Sequence, residues 1–447
     1  MALTKHAGGW RTAVSVYATR RQLVIFLMGF SSGLPLLLGF STLSFWLREE
    51  GVSLTAIGGL LAVGTPYSLK FLWAPLLDHV RLPGLSRWLG LRRGWLLAIQ
   101  LALIASIVAL GQGDPAASMG TVALAALVMA FLSASQDIVV DAYRIEILAD
   151  EEQGAGAAST QAGYRVGMLA SGAGALALAD VLSWGAVYAI MAALVGVGIV
   201  ATLIAEEPVS RRPTPPRGAL PWLRHAMLGP LAELARRPGI AAILAFVLLY
   251  KYGDAVAGAM ANPFYVDLGF TGTEIASVTK VFGVAATMVG VFAGGLLVAR
   301  SGIIAGLLVG GIAQAATNLT FAWLATVGHD LSALTLAVGL DSFAGGLGSA
   351  AFVAYLSALC NVAFTATQYA LLTSLMALGR TALATSSGWF AEALGWPGFF
   401  VATTALAVPA LLLLLWVGRS SGRGEAADDA ARHASRHDVA PSRGSET

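Results

Sequence analysis

The chain of 447 residues contains a single cysteine, Cys360. One thiol cannot form an internal disulfide, and it excludes a metal site built from several cysteines. Charged residues are also scarce, at 12% of the chain against about 25% in an average soluble domain. The formal net charge of +2 is too small to indicate a nucleic-acid-binding protein. The sequence has no nucleotide-binding loop, zinc-ligand cluster or serine-elbow motif, so nothing in it indicates an enzyme.

Hydrophobic residues, by contrast, make up 57% of the chain, which indicates a protein of the lipid bilayer. A helix that crosses the bilayer needs about 20 mostly apolar residues. Twelve segments approach or exceed that length, and they predict an all-α membrane protein with twelve transmembrane helices. They lie near 22–47, 55–77, 94–112, 117–142, 156–179, 184–205, 238–265, 273–298, 302–325, 331–359, 365–391 and 396–417.

The loops between these segments differ in charge on the two sides. Basic residues concentrate in the N-terminal segment, the 79–93 loop, the 206–237 loop and the C-terminal tail, which all fall on one side. The loops on the other side carry mainly acidic residues. Because Lys and Arg mark the cytoplasmic side of membrane proteins, we expect both termini in the cytoplasm.

The 206–237 loop divides the helices six and six. We predict an N-terminal bundle over 1–205, a cytoplasmic loop over 206–237, a C-terminal bundle over 238–418 and a disordered polar tail over 419–447. The two bundles resemble each other, because Gly51 and Ile57 recur as Gly269 and Ile275 at one offset (269 − 51 = 275 − 57 = 218). Two six-helix halves related by a parallel repeat form the plan of the major facilitator fold, in which the substrate site lies between the halves.

Nine charged residues fall inside the apolar segments, where each costs roughly 2.5–3.5 kcal/mol at the centre of a membrane helix. Such residues usually face a polar cavity or one another, so they indicate a water-accessible path through the bundle. Charges of both signs, together with the repeat, favour alternating access over the fixed pore of a channel. The nine are Lys70, Asp137, Asp141, Arg165, Lys251, Asp254, Lys280, Asp341 and Arg380.

Six segments over about residues 20–417 carry a family resemblance. They are SSGLPLLLGFSTLSFWLREEGVSLTAIG (31–58), KFLWAPLLDH (70–79), SQDIVVDAYRIEIL (135–148), GAGAASTQAGYRVGMLASG (154–172), KYGDA (251–255) and TATQYALL (365–372). These segments closely resemble the anhydromuropeptide permeases, the AmpG-type branch of the major facilitator superfamily.

The resemblance implies a permease of the bacterial inner membrane, which we expect to be a monomer. It would import N-acetylglucosaminyl-1,6-anhydro-N-acetylmuramyl peptides, which are anionic glycopeptides, for peptidoglycan recycling, and so influence β-lactamase induction and β-lactam resistance. It would use the proton gradient, by proton symport, and no cofactor. The acetyl-coenzyme A transporters share some of these features, so a coenzyme A thioester or another anionic solute remains the alternative substrate.

Two carboxylates are the candidates for proton coupling. Asp137 and Asp141 are four residues apart, which places them on one face of the fourth helix. A carboxylate that is shielded from water can take and release a proton. We expect Asp137 to be protonated and Asp141 to pair with a cation such as Arg144, although either residue fits either role.

Cations in the apolar segments are the candidates for binding the substrate carboxylates. Arg165 and Arg380 lie at matching places in the two halves, and a guanidinium offers two donors to a carboxylate. Lys251 and Asp254 are three residues apart, so they either neutralise each other or contact the substrate. The further substrate-binding candidates are Lys70, Lys280, Tyr67, Gln136, Tyr164 and Gln368.

Four residues are candidates for gating between the halves. In the superfamily a loop motif places an Asp shortly before Gly and paired basic residues. Here Asp78 is separated from Arg92 and Arg93 by an insert, so the motif is stretched. Arg144 completes the gating set as the predicted partner of Asp141.

Overall fold

The computed structural model describes residues 15–52, 61–115, 117–209, 219–237, 239–384 and 387–437. Within these ranges all regular secondary structure is helical. We number the membrane helices α1 to α12 and name the remaining short helices by their position.

The N-terminal half contains α1 to α6. These are α1 (Arg20–Glu49), α2 (Thr65–Leu69 and Ala74–His79, around a turn at Lys70–Leu72), α3 (Leu91–Gly111), α4 (Met119–Ile147), α5 (Gln153–Leu169, Ala170–Gly174 and Ala175–Ala179) and α6 (Trp184–Ile204). Short helices or turns lie at Val16–Ala18, Leu61–Gly64, Leu85–Leu89 and Asp150–Glu152.

The C-terminal half contains α7 to α12, preceded by a linker helix at Ala219–Ala235. The six are α7 (Ile240–Leu249, Tyr252–Ala259 and Ala261–Asp267), α8 (Gly272–Ala276, Ser277–Phe282 and Gly283–Ser301), α9 (Ile303–Val327), α10 (Leu331–Ala358), α11 (Thr365–Ala384) and α12 (Ser387–His437). A short turn at Val362–Phe364 precedes α11, and the backbone of α12 leaves helical geometry at Gly395.

Ten helices among the described residues are long and apolar enough to cross a membrane. The other two predicted spans correspond to α2 and α5, which are broken into shorter helical pieces. The structure is therefore consistent with the predicted twelve spans. The last helix runs to His437, beyond residue 419, because the alanine-rich start of the tail favours helical backbone. The disorder of the 419–447 tail stays a prediction.

Helix α7 shows how residue type interrupts a span. Its backbone leaves helical geometry at Lys251 (φ −105°, ψ 12°) and at Met260 (φ −102°, ψ 3°). Pro263 explains the second break, because its ring clashes with the carbonyl four residues earlier. The helix therefore crosses the bundle in three pieces, and Lys251 lies at one of the breaks.

The predicted repeat is visible in the backbone. Gly51 and Gly269 both have a positive φ, at 76° and 86°, a conformation that favours glycine. The residue after each glycine closes the same helix end, since Val52 N–H donates to Leu47 C=O at 2.9 Å and Phe270 N–H donates to Tyr265 C=O at 3.1 Å. Equivalent glycines thus end α1 and α7 in the same way.

A pair of tryptophan contacts also follows the repeat. Trp184, at the start of α6, donates its indole N–H to Glu49 at the end of α1, at 2.8 Å. Trp396, in α12, donates to Asp267 at the end of α7, at 3.0 Å. We call these two contacts the tryptophan clips. Each clip ties the first helix of a half to its last.

The two ends of the bundle differ in their packing. We call the end with the 80–90, 148–152, 205–209, 219–237 and 359–364 segments the basic end, and the other the acidic end. Near the acidic end, one hydrophobic cluster is built from N-terminal residues alone, around Trp46 and Tyr188, and another from C-terminal residues alone, around Phe264 and Phe400. Toward the basic end, clusters contain residues of both halves, such as Ile145 among C-terminal residues.

Candidate functional site

Asp78, at the end of α2, joins the two halves at the basic end. Its buried carboxylate accepts hydrogen bonds from the backbone N–H groups of Ala366 and Thr367, at 3.2 and 2.8 Å. The Thr367 hydroxyl donates a third bond, at 2.7 Å. These N–H groups belong to the first turn of α11 and have no partner within their own helix. A carboxylate of the N-terminal half therefore caps a helix of the C-terminal half, where the helix dipole favours negative charge.

Arg92 fixes the position of this carboxylate. Its Nη2 atom lies 2.6 Å from Asp78 Oδ1 and 2.6 Å from Glu146 Oε1, and its side chain is only 1% exposed. Its Nε atom donates a further bond to Glu146 Oε2 at 3.1 Å. Burial of one guanidinium between two carboxylates makes a rigid network, because each charge is paired and hydrogen-bonded.

Arg93 lies elsewhere, although it follows Arg92 directly. Its guanidinium donates to the carbonyls of Thr202 and Leu203, at 2.9 and 2.8 Å, at the end of α6. These carbonyls lack partners within α6, so Arg93 caps that helix. The described contacts of its guanidinium stay within the N-terminal half, and its backbone N–H donates to Glu207, just after α6, at 3.1 Å. Its gating role stays a prediction without a described contact between the halves.

Arg144 makes the second polar contact between the halves. Its fully buried guanidinium donates to Ser357 Oγ in α10 at 2.9 Å and lies over the Tyr369 ring of α11 at 5.6 Å. It also pairs with Asp141 at 3.4 Å, as the spacing predicts. Asp141 and Arg144 therefore lie together at the closed basic end.

The linker helix braces the same end. The Gln368 amide donates to the Pro230 carbonyl at 3.1 Å and to Glu233, and Arg237 pairs with Glu233 at 2.8 Å and donates to the Leu359 carbonyl. Burial acts to raise the pKa of Glu233, but the hydrogen bonds from Arg237 and Gln368 outweigh it and hold the pKa below its ordinary value. The linker helix thus holds the segment before α11.

Between the halves the packing changes along α5. Gly154 and Ala158 contact α8, and a Cβ atom at Gly295 would lie 2.8 Å from the Ala158 Cβ atom. Arg165 follows Ala158 by two helical turns on the same face. Its side chain is exposed, and none of the ion pairs formed by the described residues includes it. Helices α5 and α8 are therefore in contact toward the basic end. Arg165, which lies farther along α5 toward the acidic end, is exposed.

A polar cluster of the N-terminal half lies near this arginine. Ser32 donates a hydrogen bond to Asp137, and the ammonium of Lys70 interacts electrostatically with the same carboxylate. Tyr164 interacts electrostatically with both Asp137 and Arg165. Tyr67 interacts with Asp137 as well and bonds to Ser133. The structure therefore brings together five of the predicted residues of this half.

The C-terminal half holds a second polar cluster. Lys251 and Asp254 form an ion pair at 2.9 Å. Asp341 accepts hydrogen bonds from Gln314 Nε2 at 2.9 Å and Thr317 Oγ1 at 3.0 Å. The mutual neutralisation that the spacing of Lys251 and Asp254 allows is thus observed.

Other predicted residues lie outside these clusters. Gln136 is fully buried and donates to Ser31 at 3.4 Å, and Gln368 belongs to the brace at the basic end. Their roles in substrate binding stay predictions without a described contact to the opening. The side chains of Lys280 and Arg380 lie outside the described part of the structure.

Several residues of the basic end had no motif that singled them out. Glu146 lies inside the SQDIVVDAYRIEIL segment, five residues after Asp141, and its charge near a helix end was the available signal. Ser357 and Thr367 are small polar residues in apolar helices, which usually satisfy their own helix backbone. Only the packing of the halves shows that Ser357 accepts a hydrogen bond from Arg144 and that Thr367 donates one to Asp78.

These features define a class of protein. A twelve-helix bundle of two repeated halves, joined at one end and with charged groups where the halves separate, is a transporter of the major facilitator fold. Solved structures show the same fold. The human organic anion transporter MFSD10 (TETRAN) has a TM-score of 0.62 at 17% identity. The match covers 91% of this chain and 100% of the MFSD10 chain. The fucose:proton symporter FucP of E. coli has a TM-score of 0.65 at 13% identity, covering 91% and 99%.

Sequence comparison gives the family. The chain is 42% identical over 402 residues to the anhydromuropeptide permease of Escherichia coli (strain K12), covering 90% of this chain and 80% of that protein. A family model described as acetyl-coenzyme A transporter 1 matches residues 22–182. The chain belongs to the anhydromuropeptide permease (AmpG) family, as its sequence motifs predict.

Proposed function

We propose that this protein imports anhydromuropeptides across the bacterial inner membrane into the cytoplasm. The observation that carries the proposal is its 42% identity, over 90% of its length, to a protein named for that substrate. The imported glycopeptide would supply peptidoglycan recycling and thereby influence β-lactamase induction. Arg165 supports this substrate class, because it is exposed and forms no ion pair with the described residues, and a cation in a membrane path calls for an anionic partner.

The charge of the loops supports one orientation of the protein in the membrane. We propose that the basic end faces the cytoplasm, which puts both termini there. The structure would then be closed toward the cytoplasm and open toward the outside, ready to receive substrate. A reporter fused within the 206–237 loop tests the orientation, and a reporter signal from outside the cell would overturn it.

For energy coupling we propose a proton symport in which Asp137 carries the proton. Asp137 accepts a hydrogen bond from the neutral Ser32 and interacts electrostatically with Lys70. Asp141, by contrast, forms an ion pair with Arg144. Asp141 pairs with Arg144 at the closed basic end and therefore suits a lock, whereas Asp137 accepts its hydrogen bond from a neutral hydroxyl and suits the proton carrier.

Variants of the two carboxylates test the coupling. Asn keeps the shape of Asp and removes its titration. Asp137→Asn should abolish gradient-driven uptake, and Asp141→Asn should alter the closing of the basic end. If both variants accumulate substrate as well as the parent does, carboxylate coupling on α4 is wrong.

We further propose that Arg165, with Arg380 from the other half, binds the peptide carboxylates of the ligand. A charge-assisted contact contributes roughly 1.5–3 kcal/mol, or about one to two decades in affinity. Lysine at position 165 should weaken binding because it loses the two-pronged geometry, and glutamine should weaken it further. Equal loss for the disaccharide without its peptide would contradict this role.

The alternative substrate is acetyl-coenzyme A, which the family model over residues 22–182 favours. Uptake by proteoliposomes of labelled anhydromuropeptide and of labelled acetyl-coenzyme A, each with and without an inward proton gradient, separates the two. We expect gradient-dependent uptake of the anhydromuropeptide alone. Uptake of acetyl-coenzyme A alone would replace the proposed substrate.

A further inference from the structure

A cavity inside the C-terminal half lies apart from the Asp137 cluster. It has a volume of about 80 Å³ and is lined from α7, α9, α10 and α12 by Asp254, Gln314, Asn318, Asp341 and Phe400, among others. A water molecule needs roughly 10–15 Å³ by this measure, so the cavity holds several. A smaller cleft beside it is lined by Lys251 and shares Asp254, Gln314 and Asn318.

The charges around this cavity do not balance among the described side chains. Helix α7 contributes Lys251 and Asp254, α10 contributes Asp341, and the lining residues of α9 and α12 carry no charge. Two carboxylates therefore face one ammonium. The titratable Tyr250 and Tyr265 of α7 also line these spaces.

The bonding of the two carboxylates differs. The Asp254 carboxylate forms an ion pair with the Lys251 ammonium, at 2.9 Å. Among the described residues, Asp341 receives hydrogen bonds from two neutral donors, and both bond its Oδ1 atom, which leaves Oδ2 without a described donor. An ionised carboxylate with neutral partners is costly in a membrane interior, and such a group is commonly neutralised by taking up a proton.

Two buried amide atoms show that the cavity needs a polar occupant. Gln314 Oε1 and Asn318 Nδ2 have no hydrogen-bond partner among the described residues, and these two residues are only 9% and 2% exposed. Leaving buried polar atoms unpaired costs about 1–3 kcal/mol each. Water in the cavity would satisfy both atoms and provide a route for a proton between Asp254 and Asp341.

We propose that Asp341 is a proton-binding site of the C-terminal half, with the Lys251–Asp254 pair as its charge partner. The proton passes from water onto a carboxylate oxygen of Asp341 and returns to water. Asp341 interacts electrostatically with both Asp254 and Lys251, so its ionisation competes for the ammonium. Because Lys251 lies at a break in α7, this competition acts where the helix is interrupted. The inference rests on the proposed proton-coupled uptake.

The first test measures transport by the full-length protein in proteoliposomes. An inward gradient of one pH unit supports at most about tenfold accumulation per coupled proton, because one pH unit corresponds to about 1.4 kcal/mol. Asp341→Asn should lose this accumulation and keep exchange of labelled for unlabelled anhydromuropeptide. The control Asp180→Asn, on an exposed loop, should keep both. Full accumulation in Asp341→Asn would overturn the proposal, and so would loss of exchange, since Asp341 would then bind substrate or maintain structure.

The second test needs no substrate. An infrared difference spectrum of the purified protein in lipid, between low and high pH, should contain the carbonyl band of a protonated carboxyl group. Asp341→Asn should remove a band that Asp180→Asn and Asp137→Asn retain. A spectrum unchanged by Asp341→Asn would reject the site. If the parent transports no anhydromuropeptide, the proposed function fails, and this spectrum still decides whether Asp341 binds a proton.

Discussion

The two ends of the bundle hold their helices together in different ways. At the basic end, Asp78 and Arg144 of one half bond to helices of the other, and hydrophobic clusters include both halves. At the acidic end, the tryptophan clips and the two clusters each stay within one half. Contacts between halves must break and reform during alternating access, whereas contacts within a half can persist. The basic end thus has the contacts expected of a gate, and the acidic end those of two rigid bodies.

The largest effect is expected from Asp78→Asn. This change removes the buried charge that caps α11 and pairs with Arg92, and breaking such a pair costs about 3–5 kcal/mol. Separation of the halves at the basic end should become far more populated. Spin labels at Arg81→Cys and Ser301→Cys, in a Cys360→Ser background, report the distance across this end. An unchanged distance distribution would mean that Asp78 does not hold the halves together.

A smaller shift in the same distance is expected from Arg144→Gln. The variant loses charge-assisted contacts to Ser357 and Asp141, and a hydrogen bond to a charged group contributes roughly 1.5–3 kcal/mol. Arg93→Gln is the matched control, because the described bonds of the Arg93 guanidinium are to the end of α6, in its own half. Equal shifts in the two variants would contradict the distinction between these arginines.

The brace of the linker helix should depend on pH. The pKa of Glu233 lies below its ordinary value in the folded protein, so its contribution is present above that ordinary value and is lost as the pH falls through the lowered pKa. We expect protection of the 359–364 segment from hydrogen exchange to fall in acid. In Glu233→Gln, this protection should be low at every pH. If protection in that variant still falls in acid as it does in the parent, a group other than Glu233 causes the pH dependence.

The smallest effect is expected from the tryptophan clips. Trp184→Phe and Trp396→Phe keep an aromatic ring and lose one hydrogen bond, which is worth only about 1 kcal/mol because water competes for it at these exposed positions. Both should lower the melting temperature slightly and by similar amounts, and neither should change the distance at the basic end. A large change in that distance would show that the acidic end takes part in closing the basic end.

The fold could be predicted from the sequence because its signals are regular patterns of residue type along the chain. Apolar length gives the spans, and one offset that links Gly51 to Gly269 gives the repeat, which the backbone then shows at both glycines. The spacing of Asp141 and Arg144, and of Lys251 and Asp254, likewise gave the observed ion pairs. These pairs lie three residues apart, so one helix turn determines each of them.

The site could be predicted only in part, because its partners are distant in the chain. Asp78 bonds to Thr367 across 289 positions, and no local pattern reports such a contact. Neighbours can also differ in role, as Arg92 joins the gate network while Arg93 caps α6. Gln136 and Gln368 are polar residues in apolar segments, and the sequence cannot tell which polar residues satisfy one another inside a bundle.

The cap that Asp78 places on α11 has a consequence for hydration. When the halves part at the basic end, the N–H groups of Ala366 and Thr367 lose their acceptor, and the carboxylate loses three donors. Water must replace all of these bonds at once, since unpaired backbone groups are costly. Opening at this end therefore requires hydration of the interface between the halves. Its rate depends on how fast water enters that interface as well as on the motion of the helices.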